Sequence, residues 1–386
     1  MVNYAEESDG FGALLPAGLS DGLPPVATQE AALIEHFIAA FAQRGYDRVK
    51  PPLVEFEETL LAGTGSRVAN QTFRLMDPVS QRMMGVRADI TPQVSRMALS
   101  RLSRVPRPLR LTYAGQVLRV RGTQLRPERQ FAQVGAEIIG SDSVRADAEI
   151  IVMSAEAMIS AGVPELTVDI AHPDLARLIC EDLDIEPSGL REALDRKDAA
   201  AVAQAAGQHA PLFGALLRAA GPAEGCLVAL RALGLPEAAQ RELDLLGALV
   251  AAIRESTPQF ALTIDPVERR GFEYQSGACF TFFARGVRGE LGRGGRYHCS
   301  GGLEPGQPAV GATLYLDSLL RAVPRKPPSP KLYLPFGTAA AAAAACRAEG
   351  WSTVGGLEAE SDAEEAALRL GCSHILRNGA VQELKR

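Results

Sequence analysis

Two polar residues four positions apart, Gln133 and Glu137, stand in an otherwise apolar run. In an extended strand that spacing puts both side chains on one face, where an amide and a carboxylate can meet a single ligand. The alternative is a pair of surface polar residues. Upstream, Asp89 and Thr91 lie in GVRADITPQVSRMA (85–98). A carboxylate at 89 together with one at 137 suits an ammonium group through charge-assisted hydrogen bonds. Otherwise Asp89 is a structural partner of Arg87 or Arg96. A second constellation is basic: eight arginines (101, 104, 107, 110, 119, 121, 126 and 129) face one acid, Glu128, within 101–129. That density fits a phosphate-bearing ligand or an acidic partner surface, or else a solvated face with local ion pairs. In RGFEYQSGACFTFF (270–283), Arg270 either pairs with a ligand carboxylate or neutralises Glu273, and Tyr274 follows it. Further on, Asp317 and Ser318 close VGATLYLDSLL (310–320).

The elements that must position these residues are legible from periodicity. A helix is expected over 28–44, with Thr28 as N-cap and Leu33, Ile34, Phe37, Ile38 and Phe41 on its apolar face. The stretch 46–57 reads as extended, and its Pro51-Pro52 pair suits a sheet edge or a subunit contact. Residues 72–86 form a hairpin turning near Asp77-Pro78, and a helix begins around Pro92. Strands over 109–120 and 130–140 flank a polar loop at 121–129, and a helix covers 142–161. Residues 172–256 are helical and rich in alanine and leucine, with breaks at Pro187, Gly207 and Gly221-Pro222, so they read as an inserted helical region. Strands return over 260–300. The proline-rich AVPRKPPSP (322–330) marks a boundary between domains at 1–325 and 331–386. The second reads β-α-β-α-β, a small α/β unit.

Composition narrows the function classes. The chain has 386 residues, 47% hydrophobic and 22% charged, as a multidomain globular protein would. A net charge of −6 argues against general attraction to nucleic acid. Six cysteines without a CxxC pair and five dispersed histidines suggest neither a disulfide frame nor a metal site. MVNYAEESDG is polar and acidic, unlike a signal peptide, and the alanine run at 339–345 is too short to span a membrane. A soluble cytoplasmic protein without cofactor is expected.

The strings RLTYAGQVLRVRG (110–122) and RPERQFAQVGAEIIG (126–140) resemble motif 2 of class II aminoacyl-tRNA synthetases in its histidyl form. The likeness implies that Arg119 stands at an ATP-binding arginine, while Arg121 replaces a glutamate of the nucleotide site. It implies that Gln133 and Glu137 are the histidine-contacting pair, with Asp89 and Thr91 near the ammonium group. Arg270 and Tyr274 match the second histidine signature, although Gln275 replaces its second tyrosine. Ser318 stands where the synthetases carry an arginine on ATP phosphate, and a hydroxyl cannot supply that cationic fork. The opening loop LPAGLSDGLPPVA (15–27), GYDRVKPPLVEF (45–56) and GRGGRY (292–297) extend the likeness over 14–320, and weakly through the tail.

The implied fold is α+β: a class II antiparallel sheet flanked by helices, with a helical insertion and a truncated unit like the anticodon-binding domain. ADITPQVSR and ERQFAQVGAEIIG are most similar to the synthetase paralogues that serve as regulatory subunits of ATP phosphoribosyltransferase. That resemblance implies a non-catalytic chain partnered with a short-form catalytic subunit. It also implies a homodimer, formed through the 45–56 region, within a hetero-octamer. Histidine is the implied ligand, bound at the vestigial amino-acid site (Asp89, Thr91, Gln133, Glu137, Arg270, Tyr274) or at a subunit interface. Arg119, Arg121 and Ser318 mark a vestigial nucleotide site. Neither membrane nor nucleic acid is expected as a partner. Two rival readings are a working histidyl-tRNA synthetase and a nucleic-acid-binding module that uses the basic 101–129 stretch.

Overall fold

The computed structural model describes residues 14–123, 126–185, 187–256, 260–268, 277–300, 306–325, 327 and 329–385. Helix α1 (Val26–Ala42) is capped by Pro25, not by the expected Thr28. Proline's ring already holds φ at −86°, so the first turn closes earlier than a threonine cap would place it. The extended stretch gives two short strands, β1 (Asp47–Arg48) and β2 (Val54–Phe56), on either side of Pro51-Pro52. Helix α2 (Glu57–Leu60) follows, and the hairpin is β3 (Phe73–Met76) and β4 (Met83–Val86). A small sheet runs β2-β4-β3, while β1 is the edge strand of the large sheet, so both strands beside the prolines lie at edges. Helix α3 (Thr91–Leu99) has Pro92 in its first turn.

The scaffold continues through β5 (Leu109–Leu118), β6 (Gln130–Ile139), α4 (Val144–Ser160) and β7 (Leu166–Ala171). The helical insertion comprises α5 (Pro173–Asp182), α6 (Pro187–Asp195), α7 (Ala199–Ala206), α8 (Ala210–Ala219), the two-residue strand β8 (Gly221–Pro222), α9 (Ala223–Arg231) and α10 (Glu237–Glu255). The chain then returns through β9 (Ala261–Asp265), β10 (Cys279–Ala284), β11 (Gly292–Cys299), β12 (Gln307–Tyr315) and α11 (Leu316–Ala322). Among the described residues the large sheet has nine strands in the order β1-β5-β6-β12-β11-β10-β7-β9-β8. Its pairs are antiparallel except β1–β5 and β7–β9.

The pleat sorts this sheet into two faces. Ala132, Val134, Ala136 and Ile138 of β6, with Phe280, Phe282, Val310 and Ala312, pack against α1, α4 and α10 in the main core. The residues between them, including Gln133, Gly135 and Glu137, look out of the opposite face. There a second apolar cluster holds Tyr113, Phe131, Tyr297 and Tyr315.

The chain divides into two compact units, Met1–Pro324 and Arg325–Arg386. The second contains β13 (Lys331–Leu334), α12 (Ala340–Ala348), β14 (Ser352–Gly355), α13 (Ala363–Arg369), β15 (His374–Arg377) and β16 (Ala380–Glu383). Its sheet runs β14-β13-β15-β16. The last strand, which the sequence pattern did not reveal, closes an antiparallel hairpin with β15. Leu332 and Leu334 pack toward α12, whereas Tyr333 packs toward α13, as alternation requires.

Phe37 is fully buried under the main sheet, whereas Val228 is 69% exposed. Urea unfolding of Phe37→Ala should show a loss of about 3–5 kcal/mol, and Val228→Ala should stay within about 0.5 kcal/mol of the parent. Equal losses would contradict this assignment of the core.

Candidate functional site

Strand register builds the site. Tyr113, Gly135, Thr313, Arg293, Thr281, Asp169 and Thr263 pair successively across the sheet and therefore share one row and one face. The next row is Leu111, Glu137, Gly311, Gly295, Cys279 and Ala171. Two glycines are required by close approach. The Tyr113 ring lies over Gly135 and the Glu137 carboxylate over Gly311, and a methyl at either place would overlap them.

Glu137 is 1% exposed. Its Oε1 accepts hydrogen bonds from Thr91 Oγ1 at 3.0 Å and Tyr113 OH at 3.1 Å, and its Oε2 accepts one from Tyr297 OH at 3.0 Å. Burial outweighs these three donors and pushes the carboxyl up to about 8. Burial thus favours the neutral form of Glu137, which weakens it as a charged partner for an ammonium group. Gln133, also fully buried, accepts from the Ile90 N–H at 3.2 Å, and its Nε2 has no hydrogen-bond partner among the described residues. The same-face expectation for 133 and 137 holds, since both reach the turn at 90–91 that starts α3.

Asp89 is half-buried and accepts the Thr91 N–H at 3.2 Å. Its structural-partner alternative is not what forms: Arg87 donates to the carbonyls of Gln116 and Pro51, and Arg96 grips Glu55. Asp89 therefore remains the ionic group of this half. Arg270 and Tyr274 lie outside the described residues.

The other half opens into a cleft of about 440 Å³ whose walls include Arg119, Arg121, Arg126, Ser318, Asp169 and Glu268. Here the most informative side chain is Arg126. Its Nε donates to Asp317 Oδ2 at 3.1 Å, and one terminal nitrogen donates to Ser318 Oγ at 3.3 Å and the Glu290 carbonyl at 3.4 Å. The guanidinium also lies over the Tyr315 ring at 3.7 Å and the Phe131 ring at 5.0 Å. Ser318 accepts a second hydrogen bond, from Arg321, at 3.0 Å. Ser318 thus accepts from two arginines, Arg126 and Arg321, both of which also meet Asp317. Arg119 also lies over the Phe131 ring, 5.0 Å from its centre, and donates to the Ala88 carbonyl at 3.3 Å. Arg121 is exposed.

The remaining arginines of 101–129 mostly hold the fold. Arg107 donates to Gln307 and to the carbonyls of Ala98, Leu102 and Val105. Arg110 grips Glu149 through two nitrogens at 2.8 and 2.9 Å, and Arg129 donates to the carbonyls of Ala17 and Arg119. Arg101 and Arg104 at the start of that stretch, together with Arg121, are exposed and fit the solvated-face reading. Sequence reasoning missed Tyr113 and Tyr297 as partners of Glu137, and it gave Arg126 no role. The signal for Tyr113 was its strand parity with the 133–137 face. No local pattern pointed to Arg126, whose partners are 191 and 192 positions away. Among the described residues, no group of three His, Cys, Asp or Glu side chains is placed to hold a metal ion.

Two expectations follow. The folded state keeps a proton on Glu137 that the unfolded chain releases above about 4.5, so this residue lowers stability as pH rises to about 8. Glu137→Gln cannot ionise, and in urea unfolding its advantage over the parent should grow between pH 5 and pH 8 by a few kcal/mol at most, at about 1.4 kcal/mol per pKa unit. Parallel pH profiles would refute the neutral carboxyl. Arg126→Ala leaves Asp317, whose side chain is 10% exposed, with Arg321 at 3.6 Å as its remaining ion-pair partner among the described residues. The expected loss is up to about 3–5 kcal/mol, read as a lower melting temperature that Asp317→Asn in the same chain partly restores.

Comparison with known proteins agrees with this geometry. The family model described as histidyl-tRNA synthetase matches residues 18–319. A protein of Paramagnetospirillum magneticum named ATP phosphoribosyltransferase regulatory subunit is 53% identical over 97% of this chain and 98% of its own length. One of Rhodospirillum centenum with the same name is 51% identical over 97% of each chain. In fold, the chain is similar to a histidyl-tRNA synthetase of Nostoc, with TM-score 0.80 and 17% identity, covering 95% of this chain and 91% of that one. It is also similar to a Bacillus halodurans structure described as an ATP phosphoribosyltransferase regulatory subunit/histidyl-tRNA synthetase, with TM-score 0.79 and 23% identity, covering 94% and 97%. The chain belongs to the histidyl-tRNA synthetase family, within the branch of ATP phosphoribosyltransferase regulatory subunits.

Proposed function

We propose that this chain is a non-catalytic regulatory subunit of ATP phosphoribosyltransferase. It activates a separate short-form catalytic subunit and contributes to histidine feedback on the first step of histidine biosynthesis. The observation that carries this reading is the state of Arg126. A nucleotide-activating site needs cationic donors free to meet charge that develops on phosphate. Here the buried guanidinium nearest the lost arginine is committed to Asp317, Ser318 and Glu290. The names of the similar relatives supply the partner.

The amino-acid half favours sensing. Gln133 Nε2 is a buried donor without a partner among the described residues, which suits an acceptor such as an amino-acid carboxylate, and Asp89 offers a carboxylate for the ammonium group. Feedback requires that histidine bind two conformations of the complex unequally, with coupling of about 1–3 kcal/mol. Leu53, Leu75, Met76 and Met83 are exposed on and beside the small β2-β4-β3 sheet, which supports a subunit contact near the proline pair. In this reading the chain forms a homodimer within a hetero-octamer, and its second unit is a shortened counterpart of an anticodon-binding domain. Six buried free cysteines fit a reducing cytoplasm.

Reconstitution tests the reading. Adding the chain to a short-form catalytic subunit should raise phosphoribosyl transfer to ATP, and histidine should lower it again. A catalytic subunit that is fully active and fully histidine-sensitive alone would refute it. The convergence of Thr91, Gln133 and Glu137 keeps a synthetase as the second reading. That reading requires histidine-dependent ATP–pyrophosphate exchange, and the expected result is none. Calorimetry with Asp89→Ala should show weakened histidine binding; unchanged affinity would exclude the amino-acid half as the sensing site.

A further inference from the structure

A second cleft, of about 320 Å³, lies where α4, α5 and α10 meet the ends of β10 and β11. It is on the helix-covered side of the sheet. Arg296, which lines it, is one residue out of phase with Gly295, a member of the Glu137 row, and reaches α4 instead. The cleft therefore opens on the other face of the sheet from the site described above, with Tyr297, which donates to Glu137, as a residue common to both. Its volume is within the range of small-molecule sites, about 300–1,000 Å³.

Two of its walls carry buried acceptors with nothing to accept. Asp147 is 2% exposed, and Arg296 donates to its Oδ2 twice, at 3.0 and 2.7 Å. Its Oδ1 has no partner among the described residues. His172, equally buried, has Nε2 3.1 Å from Glu242 Oε2. A carboxylate there requires the ring to donate from Nε2, so the neutral ring presents a lone pair at Nδ1. That atom too has no partner among the described residues. Unmet buried polar atoms are costly, and an occupant that donates to both would remove the penalty.

Charge indicates what the occupant is. Asp142, Asp147, Asp174 and Glu242 line the cleft against one guanidinium, that of Arg296. Arg296 is itself committed to Asp147 and to the carbonyls of Ser141 and Ser143. Asp174 is partly offset by Arg177 at 2.9 Å and accepts the Gly277 N–H. The balance still favours a cation, and the acceptor set contains no metal-holding group among the described residues. Leucines 245, 246 and 249 of α10 supply an apolar wall for a hydrocarbon stem.

We propose that this cleft binds a small free organic cation, an alkylammonium or alkylguanidinium, whose N–H groups donate to Asp147 Oδ1 and His172 Nδ1. The inference does not depend on the regulatory reading, because it concerns the chain alone. Isothermal titration of the full chain with agmatine and with 1,5-diaminopentane tests it, with neutral 1,5-pentanediol as control. Saturable binding of at least one cation is expected, with none of the diol. Asp147→Asn replaces an acceptor by a donor and should weaken that binding at least about tenfold, a change of ~1.4 kcal/mol. Glu242→Gln, at a half-exposed position, should weaken it severalfold and serves if Asp147→Asn fails to fold. Absence of binding by both cations at millimolar concentration, with the two acceptors met by water only, overturns the proposal. So does equal binding of the diol, or an affinity that neither folded variant changes.

Discussion

Strand β6 pairs with β5 on one side and β12 on the other, and the remaining geometry of the site depends on that register. Ala132, Val134, Ala136 and Ile138 are locked into the main core, so a one-residue slip would turn four apolar side chains out and Gln133 and Glu137 in. The apolar side of the sheet thereby fixes the polar side. Gly135 and Gly311 then act as slots that admit the Tyr113 ring and the Glu137 carboxylate. Hydrophobic burial supplies the stability and the pleat converts it into position.

The two halves of the site handle polarity differently. Around Glu137, three hydroxyls donate to a carboxyl whose proton affinity burial raises, and one amide donor on Gln133 has no partner among the described residues. Around Ser318, charge is paired within the protein: Arg126 and Arg321 meet Asp317, and Arg126 also lies over two aromatic rings. A buried ion pair of this kind adds little net stability over an apolar replacement, yet removing one member is costly. Position 318, a serine, is therefore not without positive charge around it. The cation is present nearby, but with its hydrogen bonds already made.

Much of this was legible in the sequence. The strands at 109–118 and 130–139, the helix after Pro92, the insertion and the small terminal unit all follow from local periodicity and breakers. The common face of Gln133 and Glu137 follows from strand alternation. What local pattern could not convey were depths and distant partners. Glu137 reads as a ready ligand until Tyr297, 160 positions later, is found donating to it. Arg126 reads as one of eight arginines until its contacts with Asp317 and Ser318 are seen. The early start of α1 was missed because a proline cap carries no side-chain signal of the Ser/Thr type.

The helical insertion leaves the sheet from β7 and returns on β9, its parallel neighbour. Its two ends lie at opposite ends of that parallel pair: Ala171 sits beside Asp265, whereas Ala261, where the chain returns, sits beside Thr167, so about four residues of strand, roughly 13 Å, separate them along the sheet. For such an excursion the entropy of closing the loop changes only by about 0.6 kcal/mol per doubling of length. The length of the excursion is therefore weakly constrained, but α5 and α10 are not free to change, because they carry Asp174, Glu242 and three leucines of the smaller cleft. The same anchorage puts Asp169 of β7, a wall residue of the larger cleft, in direct hydrogen-bond contact with Thr263 of β9, so the two strands that carry the insertion meet at that cleft.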